Sequence, residues 1–377
     1  MFVGGILHFQ KSHKFCFALL IVYLIMAAMS SALPLTSAAC RSATPVVTEL
    51  LLKCSDGMTI AGQLWKHPSA PSTRQVTSEN PERILCLHGW MDNCRSFHYL
   101  APRIVQARPH VELVALDFPG HGMSGHKSKD GPPSLLSELA YYVAEAVQEL
   151  DWVPRAGDAT KNNNEETNRP STFTIIGHSM GAAVGCVYSA AFPEQVDRLV
   201  LVEGAGPLAR KSDDISKHVR QHVQRRLDGN TNPREPRVYP SLEKAVQTRC
   251  FTAKNFPGNQ WLSTEAATEM VLRGSIPVEG GDGSARQFRH DPRLQWPSLQ
   301  YFSPEQVHAV YDEIQCPTAL ILAEDGWPFD EERSQNTLDR LKPIVNRTLP
   351  GSHHFHADPD SAELVAEEVI SFLNHYS

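Results

Sequence analysis

The sequence predicts an α/β fold with a mostly parallel central sheet, helices on both faces of the sheet, and a helical insertion before the last two strands. Short apolar runs alternate with segments of helical spacing from Val46 to Val202, and the alternation resumes at Thr318. Such alternation is typical of parallel sheets, because parallel neighbours are joined by crossovers of helix length. Between these blocks, residues 208–315 show helical spacing without a clear strand.

Composition is compatible with a folded chain of this size. The 377 residues are 41% hydrophobic and 20% charged, which allows one large α/β domain or two domains. The formal net charge is −7, and nothing resembles a basic nucleic-acid footprint. None of the eight cysteines forms a C-x-x-C pair, so zinc and thioredoxin-type sites are not indicated.

Residues 1–40 have the pattern of a targeting segment. Lys11 and Lys14 precede an apolar run from Phe15 to Met29, and small residues follow it. The run has 15 residues, whereas a bilayer span needs roughly 20. We therefore predict a signal for the secretory pathway or an organelle. A signal anchor is the alternative, with membrane contact through this segment only.

Residues 41–207 are predicted to form the first part of the core. Its first two strands are joined by Ser55-Asp56-Gly57, whose Asp-Gly pair favours a hairpin. The elements in chain order are strands over 46–52 and 59–65, a strand over 83–87, a helix over 97–107, a strand over 111–117 and an amphipathic helix over 135–152. A polar segment, 155–169, is interpreted as a solvated insertion.

The stretch 171–181, S-T-F-T-I-I-G-H-S-M-G, carries the main chemical signal. A buried strand over 172–176 is followed at once by G-x-S-x-G and a helix rich in small residues. This strand-turn-helix setting defines the nucleophile elbow, in which Ser179 is raised above the sheet. Gly177 and Gly181 allow the backbones to cross closely because they lack a Cβ atom. We therefore predict that Ser179 is a nucleophile.

The second part of the core, 316–377, follows a cap over 208–315. Its predicted elements are a strand over 318–322, a helix over 331–341, a strand over 344–349 and a helix over 360–374. Because ligands of open α/β sheets bind at the carboxyl ends of the strands, we expect the cap to cover that edge. The cap is also rich in aromatic residues, among them Phe251 and Phe256. Some of them are candidates for an apolar acyl or aryl pocket, although most are expected to form the cap's own core.

A serine nucleophile needs a base, and His353, His354 and His356 follow the last predicted strand. The base occupies this place in the chain order serine, acid, histidine. We prefer His353, which follows Gly351 after one residue, and keep His354 as the alternative.

The orienting acid is expected after the strand that follows the cap. Asp325 is the first choice because Gly326 permits a turn there. Asp330 and Glu203 remain competitors, Glu203 because it ends the strand that precedes the cap. The acid would hold the histidine tautomer and stabilise the imidazolium.

An oxyanion hole needs backbone N–H donors beside the nucleophile. In enzymes with a nucleophile elbow, the residue after the nucleophile supplies one N–H donor, and the loop after an earlier strand supplies the other. The residue after Ser179 is Met180. In this chain that loop begins His88-Gly89-Trp90. We therefore predict that Met180 and Trp90 are the donors.

Four motifs occur in a telling order: L-H-G-W at 87–90, D-F-P-G-H-G-M-S at 117–124, G-H-S-M-G at 177–181 and G-S-H-H-F-H at 351–356. With them the chain resembles the α/β-hydrolase fold superfamily over about 46–373. H-G-W-M-D-N at 88–93, L-R-G at 272–274 and D-P-R-L at 291–294 make it similar, more narrowly, to serine hydrolase-like proteins. The resemblance implies a serine-dependent hydrolase without a metal or organic cofactor, and leaves the substrate undefined.

Serine at the elbow argues against haloalkane or epoxide chemistry, for which related proteins carry an aspartate. We expect hydrolysis of a small carboxylic ester, thioester or amide through an acyl-enzyme at Ser179. Carbon–carbon bond hydrolysis and acyl transfer are alternatives on the same scaffold. A catalytically idle binding protein is another, since fold does not imply function.

Overall fold

The computed structural model describes residues 44–70, 81–131, 135–155, 172–232, 235–278, 283–299, 301–329 and 331–376. The predicted targeting segment, nearly all of the polar insertion and the candidate acid Asp330 lie outside these ranges. Among the described residues we find no helix with the length and hydropathy needed to cross a bilayer.

In the described part of the chain, eight strands form the central sheet in the order β1-β2-β4-β3-β5-β6-β10-β11. They are β1 Val46–Lys53, β2 Thr59–Lys66, β3 Glu82–Leu87, β4 Val111–Leu116, β5 Phe173–His178, β6 Val196–Val202, β10 Thr318–Asp325 and β11 Val345–Ser352. The β1–β2 and β2–β4 pairs are antiparallel and all other pairs in this sheet are parallel. The predicted mostly parallel sheet is confirmed.

Helices cover both faces of the sheet. They are α1 Leu100–Ala107, α2 Leu136–Glu149, α3 Met180–Ala191, α7 Pro304–Asp312, α8 Glu331–Leu341 and α9 Ala362–His375. Leu85 and Leu87 of β3 pack with α2, α3 and α7 on one face, whereas Ile84 and Cys86 pack with α1 and α9 on the other. Successive strand side chains point to opposite faces, so a strand apolar at every position is buried on both sides.

The insertion between β6 and β10 contains α4 Ile215–Thr231, α5 Leu242–Ala253 and α6 Thr264–Gly274. Serine side chains cap α5, α6 and α7 by accepting backbone N–H groups in the first turn. The described part also contains a small antiparallel sheet of β7 Val238–Tyr239, β9 Arg286–Phe288 and β8 Ser275–Pro277. No strand was predicted in this insertion, because strands of two or three residues are too short to show alternation.

Helix α7 lies within residues 208–315, which were predicted to form the cap, but it packs with the main core. Its Val307 and Tyr311 belong to the same apolar cluster as β3, α2 and α3. The cap's own small core is formed around α5 and α6 by residues such as Val246 and Met270.

Arg273 of the L-R-G motif anchors the cap to the sheet. Its guanidinium contacts Asp117 at 2.8 Å and Glu49 of β1 at 2.9 Å. Asp117 also accepts the backbone N–H groups of Cys94 and Met123, so one carboxylate joins the cap to two loops at the carboxyl edge of the sheet.

Arg293 of the D-P-R-L motif makes a second attachment. It donates to the backbone oxygens of Lys127, Ser128 and Gly131, while Asp291 holds its guanidinium. Both cap motifs are therefore attachment points between the cap and the core.

Candidate active site

Ser179 lies at a sharp turn between β5 and α3. Its backbone has φ 52 and ψ −111, a conformation that residues other than glycine rarely adopt. A Cβ atom on Gly181 would lie 2.0 Å from the backbone oxygen of Leu87, and one on Gly177 would lie 2.5 Å from that of Gly181. The glycines of the motif therefore permit the close crossing of α3, β3 and β5. The strained backbone of Ser179 costs about 1–3 kcal/mol, and strain of this kind is found mainly at functional sites.

His353 follows β11, and its Nδ1 lies 2.9 Å from Oε2 of Glu203. Glu203 directly follows β6 and is 2% exposed. Its Oε1 accepts the backbone N–H of Ala323 at 2.6 Å, and its Oε2 accepts that of Trp327 at 2.9 Å. Two amides therefore fix a buried carboxylate against His353. An acid held in this way keeps the Nδ1–H tautomer of a catalytic histidine and stabilises its imidazolium form.

The choice of Asp325 as the acid is corrected by this geometry. Asp325 ends β10 with an exposed side chain, and its backbone oxygen accepts Nε2 of Gln260. The carboxylate that meets His353 is that of Glu203, which follows β6 and reaches across the end of the neighbouring strand β10. A Cβ atom on Gly326 would lie 2.3 Å from Oε1 of Glu203. Gly326 therefore leaves room for the carboxylate of Glu203.

His353 and His354 occupy different environments. The side chain of His353 is 13% exposed beside Glu203, whereas His354 is buried and lies 3.3 Å from Asp92. The backbone N–H of His353 donates to Oε1 of Gln260, a cap residue whose amide also donates to Gly326. This geometry supports His353 as the base.

The predicted oxyanion loop lies against the elbow. A Cβ atom on Gly89 would come within 2.8 Å of Nδ1 of His178, the residue before Ser179. Met180 is the first residue of α3, and the indole of Trp90 donates to the backbone oxygen of Leu294. Met91, which follows Trp90, has a positive φ of 64. The structure thus brings both predicted loops to Ser179, while the donor roles of Trp90 and Met180 stay predictions.

A row of aromatic rings extends from the oxyanion loop to the base. Ring centroids are separated by 6.4 Å between Trp90 and Phe256, 6.0 Å between Phe256 and Trp327, and 5.9 Å between Trp327 and His353. Phe251, another cap aromatic, is 65% exposed. Trp327 was not among the predicted site residues, although its position just after β10 is a signal that the sequence contains.

Buried histidines surround the site. Burial lowers the pKa of His88 to about 4, and burial also lowers the pKa of His121 and of His356 to about 3. Burial and the neighbouring histidines hold the pKa of His178 well below its ordinary value. These rings are therefore neutral near pH 7. Within the described ranges, no group of three His, Cys, Asp or Glu side chains is arranged to hold a metal ion.

Fold and site define an α/β hydrolase. Residues 82–360 match the family model of the alpha/beta hydrolase fold, so the chain belongs to that family.

Among known proteins the chain is similar to serine hydrolase-like proteins. One from Dictyostelium discoideum is 29% identical over 86% of this chain and 81% of its own length. Serine hydrolase-like protein 2 of Homo sapiens is 28% identical over 77% of this chain and 86% of its own. A crystal structure of a hypothetical protein from Pseudomonas aeruginosa has a TM-score of 0.69 at 29% identity, and covers 88% of this chain and 100% of its own.

Proposed function

We propose that this protein is a serine hydrolase that cleaves a small carboxylic ester or thioester through an acyl-enzyme at Ser179. The observation that carries the proposal is the contact of His353 with Glu203 beside a strained serine elbow. Burial and two backbone donors prepare Glu203 to balance a charge that forms on the imidazole.

In the proposed reaction, Nδ1 of His353 is held by Glu203, so Nε2 is the nitrogen that takes the proton of Ser179. The serine oxygen attacks the acyl carbon, and the N–H groups of Met180 and Trp90 stabilise the oxyanion. His353 then protonates the leaving alcohol or thiol, and the acyl-enzyme remains. A water molecule then gives its proton to the same nitrogen and attacks the acyl carbon of the acyl-enzyme. The bond from that carbon to the Ser179 oxygen breaks, the carboxylic acid leaves, and the proton returns to Ser179.

We propose an apolar or aryl acyl group as the substrate class. The aromatic row of Trp90, Phe256 and Trp327 supports this, because it lies beside His353 and offers ring faces for apolar packing. Phe256 comes from the cap, so the cap would contribute to the choice of substrate.

The test is labelling with a fluorophosphonate probe, which reacts with an activated serine. We expect protein lacking residues 1–40 to be labelled, and Ser179→Ala and His353→Ala to lose the label. Circular dichroism would establish that the variants are folded. A folded wild-type protein that is not labelled would contradict the proposal and favour a catalytically idle scaffold.

We also propose that residues 1–40 direct the chain to the secretory pathway or an organelle. The charged start, the apolar run and the small residues after it support this. Mass spectrometry of the N-terminus of the protein made in eukaryotic cells is the test. A mature chain that still begins at Met1 in the cytosol would contradict it.

A further inference from the structure

Asp92 is a buried carboxylate that the proposed reaction does not use. It lies on the loop after β3, two residues beyond Trp90, and is 3% exposed. Its Oδ1 lies 2.5 Å from Nη2 of Arg249, which belongs to the cap helix α5. Its Oδ2 lies 3.3 Å from Nε2 of His354 and 3.7 Å from Nδ1 of His178. Nδ1 of His178 has no hydrogen-bond partner among the described residues, so the carboxylate directly connects the cap to two segments of the core, its own loop and the segment of His354.

The loop of Asp92, the elbow and the segment of His354 carry the residues of the proposed reaction. His178 precedes Ser179, and its Nε2 donates to the backbone oxygen of His353 at 2.9 Å. His354 follows His353, and Asp92 itself belongs to the oxyanion loop. The nucleophile, the base and the oxyanion donors are thus each within two residues of a group at the Asp92 cluster, defined here as Asp92, Arg249, His178 and His354.

Arg249 is the member of this cluster that carries a positive charge near neutral pH. Burial lowers the pKa of His354, and burial with the neighbouring histidines lowers that of His178, so both rings are neutral near pH 7. Burial by itself would raise the pKa of Asp92, but His354 and then Arg249 outweigh burial and hold that pKa well below its ordinary value. A buried carboxylate needs a paired charge, and near neutral pH the guanidinium of Arg249 supplies it.

We propose that Arg249 is a positioning residue, which holds the oxyanion loop, the elbow and the base loop in register through Asp92, so that the docked cap completes the hydrolytic site. The inference rests on the proposed function. Without Arg249, the carboxylate of Asp92 loses its counter-charge and turns toward water. A cavity of about 30 Å³ lined by Asp92, Arg249 and Asn93 lies at the cluster, with room for about one water molecule. That movement displaces the loop of Trp90 and releases His354.

The cap stays attached when Arg249 is changed. Arg273 still binds Asp117, Arg293 still binds the loop over 127–131, and Asn93 still donates to the backbone oxygen of Met270. We therefore expect Arg249 variants to fold with the cap in place, which separates positioning from cap attachment.

The test compares Arg249→Met, Arg249→Lys and the double variant Asp92→Asn/Arg249→Met with Lys254→Met, which removes an exposed cation just after the same helix. The readouts are kcat and KM on p-nitrophenyl butyrate, with active sites titrated by the fluorophosphonate. We expect Arg249→Met to lower kcat about 10- to 100-fold with KM within about twofold, the range for a misplaced catalytic group. Arg249→Lys and the double variant recover part of the loss, because neither leaves an unpaired carboxylate. Unchanged kcat per titrated site in Arg249→Met overturns the proposal.

Hydrogen exchange tests the same inference without activity. We expect Arg249→Met, but not Lys254→Met, to speed exchange at least about tenfold in residues 88–93 and 352–357. Unchanged exchange in either segment overturns the inference. Failure of the proposed function would show differently, as a folded wild-type protein that neither hydrolyses the ester nor takes the label.

Discussion

Nδ1 of His353 and Oε2 of Glu203 are 2.9 Å apart, although 150 positions separate the two residues along the chain. The sheet order explains the contact. β10 lies between β6 and β11, so the loops that leave β6 and β11 flank the end of β10. The cap and two core helices lie between the two residues in sequence. The contact between His353 and Glu203 is therefore a consequence of sheet topology.

Replacing Glu203 by Gln is expected to lower kcat about 10²- to 10⁴-fold. The amide keeps the size of the side chain, but it cannot stabilise the imidazolium and it favours the wrong histidine tautomer. Asp325→Asn, the matched control, should change kcat by less than about twofold, because Asp325 is exposed at the end of β10. Steady-state kinetics on p-nitrophenyl esters measure both. The reverse order of effects would restore Asp325 as the acid.

Gly326→Ala is expected to impair activity and to destabilise the fold by about 1–3 kcal/mol, the usual effect of an extra methyl group in a filled site. The new Cβ would lie 2.3 Å from Oε1 of Glu203, so the acid must move. Gly131→Ala is the control, since among the described residues the nearest atom to its Cβ would be the backbone oxygen of Ser128, at 3.7 Å. Urea unfolding and kcat should be measured together. Equal behaviour of the two variants would show that Glu203 has more freedom than the structure indicates.

Acid should destabilise the protein between pH 7 and pH 5. Burial lowers the pKa of His88 from 6.5 to about 4, and burial lowers the pKa of His121 and His356 further, to about 3. Below pH 6.5 the unfolded chain therefore binds protons that the folded chain does not. The free energy of unfolding then falls as the pH falls, by about 1–2 kcal/mol for each such histidine by pH 5.

Urea unfolding at pH 7 and pH 5 measures this dependence, with His356→Leu as the matched variant. It removes one titrating ring, so its stability should fall less on acidification than that of the wild type. Asp92 does not act in this window, since its lowered pKa removes stability only below about pH 4. A free energy of unfolding that is equal at both pH values would mean that the histidines are hydrated in solution.

Phe256→Ala and Trp327→Ala are expected to change substrate preference more than turnover. Loss of an aromatic face should raise KM about tenfold for benzoyl or hexanoyl esters and much less for acetyl esters, because the acetyl group buries little apolar surface. Phe251→Ala is the control, since that cap ring is 65% exposed. Competition between acetyl and benzoyl esters measures the ratio of their kcat/KM values directly. Equal changes for both esters would place the acyl group elsewhere.

Local chemistry made much of the site predictable. G-H-S-M-G after a buried strand requires a tight turn, and the clash that a Cβ on Gly181 would make with Leu87 shows why glycine stands there. The segment of His353, His354 and His356 could be chosen as the place for a base because it follows the last strand, a position that chain order defines. The hairpin, the strands and most helices were likewise visible, because their periodicity lies within a few consecutive residues.

Contacts between segments that are distant in the chain could not be predicted from the sequence. Glu203 and Asp325 both end a strand, and only the neighbouring positions of β6 and β10, with the space beside Gly326, decide that Glu203 meets His353. The pairing of Asp92 with Arg249 crosses from the core to the cap and leaves no periodic signal.

Sequence by itself therefore determined the α/β fold, the strand-turn-helix setting of Ser179 and the place of His353 after the last strand, since each depends on short-range geometry. Tertiary structure alone decided which carboxylate contacts His353 and how the cap contacts the loop of Asp92. Those choices depend on which side chains share a buried space, and burial is a property of the folded chain.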